Sequence, residues 1–351
     1  MAQLNPIAAE VLEASAAGYA AAANAVHRES TLRSGGTAAY SSNAWTAHFK
    51  QRILELAAAV RVNEPGLFAE RVSWLRRAFQ ARGTDVADLK HAVMSLKTAL
   101  EQEFPEDLRA VVSPPLALAL DEFDNELQPD VTHLDQSSAT GRLGLEYIGA
   151  CLAGDPDRAI EIVLGAIGGT LSAEDALTRV VIPVQKEIGQ LWHVGELSVL
   201  EERVISETTG RLMTLICHQH GRTATAAGPT VIAASVAGNA HDLGLRVICE
   251  LFRLAGWRCL FLGADVPASE IARSTETFSA DLIVLNATLT TQLKELHDAI
   301  NEIKRASPTT PVLIGGLALR DAPNLWRELG ADAYAETVDQ AIQAGARLVK
   351  P

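Results

Sequence analysis

The chain has 351 residues, 48% of them hydrophobic, a length that supports two or three domains with a sizeable core. Its formal net charge of −13 argues against direct nucleic-acid binding, which needs a basic face to neutralise phosphates. No apolar run reaches the roughly 18–20 residues of a membrane-spanning helix, and the Ala-rich N-terminus lacks the basic region of a signal peptide. The four cysteines (Cys151, Cys217, Cys249, Cys259) lie apart in apolar contexts without a Cys-x-x-Cys pair. That is the pattern of buried free thiols rather than of disulfides or zinc ligands, and a cytoplasmic protein is expected.

Residues 1–130 read as a helical sensor or interaction domain. Apolar residues recur at helical spacing within 49–56 and 68–79, and an amphipathic helix has that period. Breaks fall at Ser34-Gly-Gly-Thr37, Gly83-Thr84-Asp85, Phe104-Pro105 and Ser113-Pro114-Pro115, all turn chemistry. Thr84 or Asp85 is a suitable N-cap for a helix through Leu100. The domain also carries His27, Tyr40, Trp45, His48 and His91. Its phrase 81–90 resembles helical sensor domains of bacterial stress-signalling proteins.

Residues 131–141 are polar and turn-rich, a linker. Four helices follow within 142–222, at 143–152, 156–167, 172–192 and 198–220, with Ser172-Ala-Glu-Asp175 as a capping pattern. Residues 228–351 change period. Apolar strands at 230–236, 258–262, 282–286, 311–314 and 331–335 alternate with helical patterns at 243–254, 268–277, 291–305, 322–329 and 338–348. That alternation predicts a five-stranded, doubly wound parallel sheet of flavodoxin type, Rossmann-like in layout. The expected fold class is therefore multi-domain: an α N-terminal domain, a four-helix unit, and an α/β domain.

The stretch Gly238-Asn239-Ala240-His241-Asp242-Leu243-Gly244-Leu245 joins the first strand to its helix, at the sheet edge where open α/β folds bind ligands. Asp242 is placed to cap the helix and leave His241 projecting. Gly238 allows a sharp turn, and Gly244 lets a planar ligand approach the first helical turn. Taken alone, a histidine before a helix more often hydrogen-bonds backbone. The pattern Asn-x-His-x-x-Gly resembles the Asp/Glu-x-His-x-x-Gly signature of cobalamin-binding domains, whose histidine ligates cobalt from below; Asn239 stands where an acid is usual. Asn286, Thr288 and Thr290 take the place of the family's Ser-x-Leu/Thr loop, which lines the nucleotide-tail channel, with Asn286 where serine is usual. Gly315-Gly316 matches the pair that makes room for the dimethylbenzimidazole tail, although alone it reads as a tight turn. Gly263-Ala-Asp-Val-Pro-Ala268 also matches the family's wording.

Upstream, Trp192-His193 and Glu202-Arg203 resemble the four-helix cap of cobalamin photoreceptors of the CarH type. Trp192 and Glu202 match the Trp and Glu that cover the upper face of adenosylcobalamin. Arg203 stands where the motif has histidine, and His193 matches the histidine that takes the upper cobalt position after light. By residue type alone, Trp192 is equally a core anchor and His193 a surface residue at a helix end. The resemblance covers 143–351; the family's winged DNA-binding helix is replaced by the helical domain.

The resemblance implies His241 as the lower cobalt ligand and His193 as an upper one after light. It implies that Asn239, a neutral amide, tunes a weaker lower ligand than an acid would. It implies a light-responsive sensor acting through a homo-oligomer or protein partner. Two other classes stay open: a corrinoid methyl carrier, although Leu245-Arg246 replace the usual Lys-Asn, and a haem or bilin sensor on the same fold. Photocobilins, cobalamin photoreceptors without the DNA-binding domain, also hold a bilin. A second tetrapyrrole such as biliverdin, held non-covalently, is thus expected for the N-terminal domain. Gly-x-Ser-x-Gly, P-loop and HExxH patterns are missing, so no enzyme is expected.

Overall fold

The computed structural model describes residues 4–33, 41–127, 132–220 and 228–349. The chain divides into two compact units, Met1–Pro129 and Asp130–Pro351.

The first unit is helical: α1 (Leu4–Ala14), α2 (Ala16–Arg33), α3 (Ser42–Arg61), α4 (Pro65–Ala81), α5 (Val86–Glu103) and α6 (Arg109–Asp121). Asp85 caps α5, accepting from Ala87 N at 2.9 Å. The break at Ser34-Gly-Gly-Thr37, and Tyr40, lie outside the described residues. The break expected at Ser113-Pro114-Pro115 is overridden, because α6 runs through both prolines. They sit early in the helix, so the carbonyls they leave without helical partners belong to Ala110, which is exposed, and Val111. Burial of Val112, Pro115, Leu116 and Ala119 offsets the usual proline penalty of roughly 3 kcal/mol. Trp45, Phe49, Ile53, Leu56, Phe68 and Leu96 build the core. Inside it His27, 1% exposed, packs 4.5 Å from Trp45, 5.9 Å from Phe49 and 4.8 Å from His91 between ring centroids. The buried His27 Nδ1 has no hydrogen-bond partner. Burial, then the neighbouring His91, pushes the His27 imidazole down to about 4, since a low-dielectric site disfavours the charged form.

In the second unit, Ser138 accepts from Gly141 N at 2.9 Å and starts α7 (Ala139–Leu152). The last three residues of the expected linker are therefore helical. There follow α8 (Pro156–Ala166), α9 (Ala173–Asp175), a π-helical stretch 176–181, α10 (Ile182–Val194) and α11 (Val199–His220). Ser172 and Asp175 form the expected capping box. Tyr147, Leu177, Val184, Ile205, Leu212 and Ile216 make the core of this cap. At its centre Thr209 Oγ1 meets the Tyr147 hydroxyl at 3.0 Å and accepts from Gln185 Nε2 at 2.9 Å, which satisfies polar atoms that burial would otherwise penalise.

The sheet domain runs β1 (Thr230–Val236), α12 (Leu243–Leu254), β2 (Arg258–Val266), α13 (Ala268–Thr277), β3 (Leu282–Asn286), α14 (Leu293–Ala306), β4 (Val312–Gly315), α15 (Leu325–Glu328), β5 (Ala333–Ala335) and α16 (Val338–Leu348). The strands pair in parallel in the order β2-β1-β3-β4-β5, the doubly wound arrangement expected. Val231, Ala233, Leu282, Val284 and Leu313 pack with α12 and α16. The alternating Ile232, Ala234, Ile283, Leu285, Val312 and Ile314 are equally buried, as in a parallel sheet covered on both faces. Val247 and Leu251 of α12 belong instead to the cap core. Thus α12, which follows the His241 loop, is wedged between sheet and cap.

Two expectations are corrected here. Cys249 and Cys259 form a disulfide with Cα atoms 5.9 Å apart, leaving Cys151 and Cys217 free. Gly256, with φ 92°, turns the chain back so that α12 and β2 lie side by side, a juxtaposition that cysteine spacing does not reveal. β2 also continues four residues beyond the expected end, with register irregularities against β1.

Candidate functional site

The sheet order reverses between β2-β1 and β1-β3, which opens a crevice at the carboxyl ends of β1 and β3. Gly238, at φ 72°, turns the chain out of β1, and its N–H donates to Asp265 Oδ1 at 2.7 Å. Asp265 N–H in turn donates to Asn239 O at 3.1 Å. Asp265 holds a left-handed φ of 55°, which costs a non-glycine residue roughly 1 kcal/mol or more; these two bonds hold it there.

Asn239 is completely buried. Its Oδ1 accepts from His241 N at 3.1 Å and lies 3.3 Å from the ring Nδ1, while its Nδ2 donates to Asn286 O at 3.1 Å. An amide oxygen can only accept, so Nδ1 is the donor in this contact, and in the neutral ring that leaves the lone pair on Nε2. His241 is exposed and so presents a nitrogen suited to a metal. Asp242 departs from expectation: its backbone, at ψ −12°, is already helical and its side chain makes no cap hydrogen bond. A capping side chain reaches back only from an extended backbone. A Cβ on Gly244 would meet nothing within 4 Å, so the first turn of α12 borders open space.

The β3 loop is stitched to this one. Asn286 Nδ2 donates to His241 O at 2.8 Å, and Ser235 Oγ donates to the same oxygen at 3.2 Å. Gln292 Oε1 accepts from Thr288 N and Leu289 N at 2.9 and 3.0 Å, and its Nε2 donates to Gly238 O at 3.0 Å. Thr290 is buried and Thr288 half-buried. Ser235 and Gln292 carried no signal in the sequence, and Asp265 stood out only as part of the Gly263–Ala268 stretch, since staples between loops have no periodic signature; a serine inside the apolar β1 was the one further cue. A Cβ on Gly315 would come 2.9 Å from Ala335 O. One on Gly316, at φ 107°, would come 2.1 Å from Ala287 O and 2.3 Å from Asn286 Oδ1. At both positions a side chain would run into backbone oxygens, so each glycine permits close backbone approach.

In the cap, Trp192 lies on the last turn of α10 and is 39% exposed. Gly195, at φ 86°, ends that helix. His193, its sequence neighbour, is 2% exposed and belongs to the interior rather than the surface. Glu202 is half-buried and accepts from Ser206 Oγ at 2.6 Å. Val199, Leu200 and Val204 are exposed apolar residues at the start of α11. Glu201 is engaged in capping that helix through Ser198. α11 meets α12 where Gly210 approaches Leu243 and the Arg246 guanidinium, and Glu202 lies eight residues earlier, about 12 Å along the helix axis. Leu245 is buried in the sheet core, and the Arg246 guanidinium stands 5.4 Å from the Phe261 ring. Those contacts account for the Leu-Arg pair after the loop.

A corrin is a plate with apolar faces and a polar rim. It needs an axial nitrogen on one side, room beside a helix turn, and apolar cover. His241 Nε2, the open space at Gly244, and exposed Trp192, Val199 and Val204 fit that description. Among the described residues no helix is long and apolar enough to cross a membrane.

Comparison with known proteins agrees with this geometry. Residues 229–343 match a family described as B12 binding domain, and residues 146–216 match a second family of the same description. A corrinoid protein of Desulfitobacterium hafniense is 25% identical over 207 residues, 57% of this chain and 94% of that protein. Dimethylamine corrinoid protein 3 of Methanosarcina mazei is 30% identical over 122 residues, 34% of this chain and 71% of that protein. The HTH-type transcriptional repressor CarH of Myxococcus xanthus is 25% identical over 191 residues, 52% of this chain and 60% of that protein. The solved monomethylamine corrinoid protein of Methanosarcina barkeri shares the fold, with a TM-score of 0.50 at 19% identity, covering 59% of this chain and 96% of that one. The cap and the sheet, matched separately and packed together around α12, make this chain a cobalamin-binding member of the B12-binding corrinoid protein family.

Proposed function

We propose that this protein is a non-catalytic, light-responsive cobalamin sensor that takes adenosylcobalamin and signals through contacts of its cap with a second copy or a protein partner. The observation that carries this reading is the pairing of Trp192 and His193. Neighbours on one helical turn, one is 39% exposed and the other 2%, and a left-handed glycine follows. Successive helical residues point about 100° apart, so unwinding of that turn exchanges which of them faces outward, and such a two-position element can be biased by a change at the site.

Bound adenosylcobalamin supplies a cobalt–carbon bond that light cleaves. His241 Nε2 would hold the cobalt, with Asn239 orienting the ring as a neutral amide acceptor. Trp192 covers the upper face, and the Glu202 carboxylate accepts from hydroxyl groups there. Unwinding of the last turn of α10 would bring His193, buried in the core, out to where it could hold cobalt in turn. The test is to load the purified protein with adenosylcobalamin, record spectra before and after green light, and run size exclusion on both. A spectral change with a shift in elution volume supports the sensor, whereas a light-stable spectrum rejects it.

A second reading, a corrinoid methyl carrier, is favoured by the 30% identity to a dimethylamine corrinoid protein; bound methylcobalamin that exchanges its methyl group in the dark would establish it. The helical unit supports a separate tetrapyrrole expectation, because the buried His27 Nδ1 lacks a partner among aromatic rings. A red band shift on mixing with biliverdin tests that part.

A further inference from the structure

Residues 133–138 precede α7 and lie against the cap. Leu134, 1% exposed, belongs to the cap core together with Val184 and Ile188 of α10. One residue earlier, His133 N–H donates to Glu187 Oε2 at 2.6 Å. Val184 lies three residues before Glu187 and four before Ile188, so these contacts follow one face of α10. α7 meets the same segment through two glycines. A Cβ on Gly141 would fall 1.9 Å from Asp135 O, and one on Gly144 would fall 2.9 Å from Leu134 Cδ2. Glycine weakens a helix, and here it makes way for the segment alongside. Ser138 N–H donates to Asp135 O at 3.1 Å and Arg142 Nη1 to Ser137 O at 2.8 Å, which closes the segment on the start of α7. In the helical unit, Arg76, 6% exposed, donates to the carbonyls of Glu122, Phe123 and Asn125. The connection is thus clamped at each end, with residues 126–132 between the clamps.

We propose that residues 133–138 are a strap by which α10 couples the cobalamin site to the helical unit. The inference rests on the reading that Trp192 covers the corrin. Glu187 stands five residues before Trp192 on α10, about 7.5 Å along the axis, so the strap grips the helix that the corrin would touch. The strap has two states. Docked, Leu134 packs over Gly144, Glu187 holds His133 N–H, and the chain between the clamps is fixed at both ends. Released, that chain is fixed by Arg76 alone. A corrin that steadies α10 holds Val184 and Glu187 in place and so favours the docked state, which orders the segment that Arg76 grips. Such coupling is reciprocal: whatever releases the strap from the side of the helical unit weakens corrinoid binding by the same factor.

The test is hydrogen exchange read by mass spectrometry on the full-length protein, with and without hydroxocobalamin, for wild type, Leu134→Ala, Glu187→Ala and Glu187→Gln. In wild type, loading should slow exchange about tenfold at residues 133–138 and at 120–127, the factor that one retained charge-assisted hydrogen bond supplies. Leu134→Ala and Glu187→Ala should keep the protection that loading gives the His241 loop, which shows that they fold and bind, yet lose the response at 120–127. Glu187→Gln, whose amide oxygen still accepts from His133 N–H, should retain that response. A response at 120–127 that persists in both alanine variants, or exchange at 133–138 that loading does not move, would overturn the strap while leaving the corrin site intact. Loading that protects the His241 loop but not residues 186–194 would instead reject Trp192 as the cover, and the strap with it.

Discussion

The same substitution at two glycines of the site should move stability in opposite directions. Gly244 is the second residue of α12, and a Cβ there would meet nothing within 4 Å. Replacing a helical glycine with alanine narrows the unfolded ensemble and adds roughly 0.5–1 kcal/mol. Gly316 has φ 107° and ψ 164°, a region essentially restricted to glycine that costs other residues roughly 1–3 kcal/mol. Its Cβ would also lie 2.1 Å from Ala287 O, which accepts from Ala318 N at 3.3 Å. Displacing that carbonyl costs about 1 kcal/mol more. For a domain of this size each kcal/mol moves the midpoint by about 2–4 °C. Calorimetry of the cofactor-free protein should therefore show Gly244→Ala melting about 1–4 °C higher and Gly316→Ala at least about 4 °C lower. Cobalamin titration adds a second contrast: Gly244→Leu should keep the melting point near wild type yet weaken cobalamin uptake, because the new side chain fills the space at the first turn of α12. Equal melting shifts for the two alanine variants would refute the packing argument, and undiminished cobalamin binding by Gly244→Leu would remove the corrin from that turn.

Three further outcomes are expected. Asn239→Asp places a carboxylate where Asn239 Nδ2 donates to Asn286 O, so two acceptors face each other in a buried site at roughly 1–3 kcal/mol. The folded protein would then hold the Asp proton more tightly than the unfolded chain, so the loss relative to wild type grows as pH rises from about 4; melting curves that differ equally at pH 4 and pH 8 would contradict it. His27, lowered to about 4 by burial and then His91, stabilises the helical unit fully above its unfolded value of about 6.5. That contribution, up to roughly 3 kcal/mol, is lost as pH falls through 6.5 toward 4. Chemical denaturation across that window should show the slope and His27→Leu should reduce it, the remainder coming from His48, which burial, then Arg52 and His27, lower to about 3; a flat wild-type profile would exclude buried neutral His27. Finally, thiol titration of the denatured, unreduced chain should count two thiols rather than four, because Cys249 and Cys259 are paired. Reduction should then lower the stability of the sheet unit by roughly 2–3 kcal/mol.

Much of the fold was legible because its determinants are local. The change from helical to alternating period at 228 located β1, β3 and α12 with the bounds the structure has. Ser172 and Asp85 announced their helices by capping chemistry that spans three residues or fewer. The His241 loop was legible because a short, ordered motif coincides with a strand-to-helix junction at the sheet's ligand edge. α6 was misjudged at its prolines because burial of a whole helix face outweighs a local propensity.

The sequence by itself determined the order of elements, the cap ahead of a doubly wound sheet, and the histidine-bearing loop at that sheet's carboxyl edge. Only the tertiary structure decided what those residues touch. It paired Cys249 with Cys259, buried His193 while exposing Trp192, and set the Asn286 amide between His241 O and Gly316. Periodicity and capping act over a few neighbouring residues, so they are written along the chain. Contacts such as Asn286 with His241, 45 residues apart, exist only after the parallel crossovers bring separate strand ends to one edge.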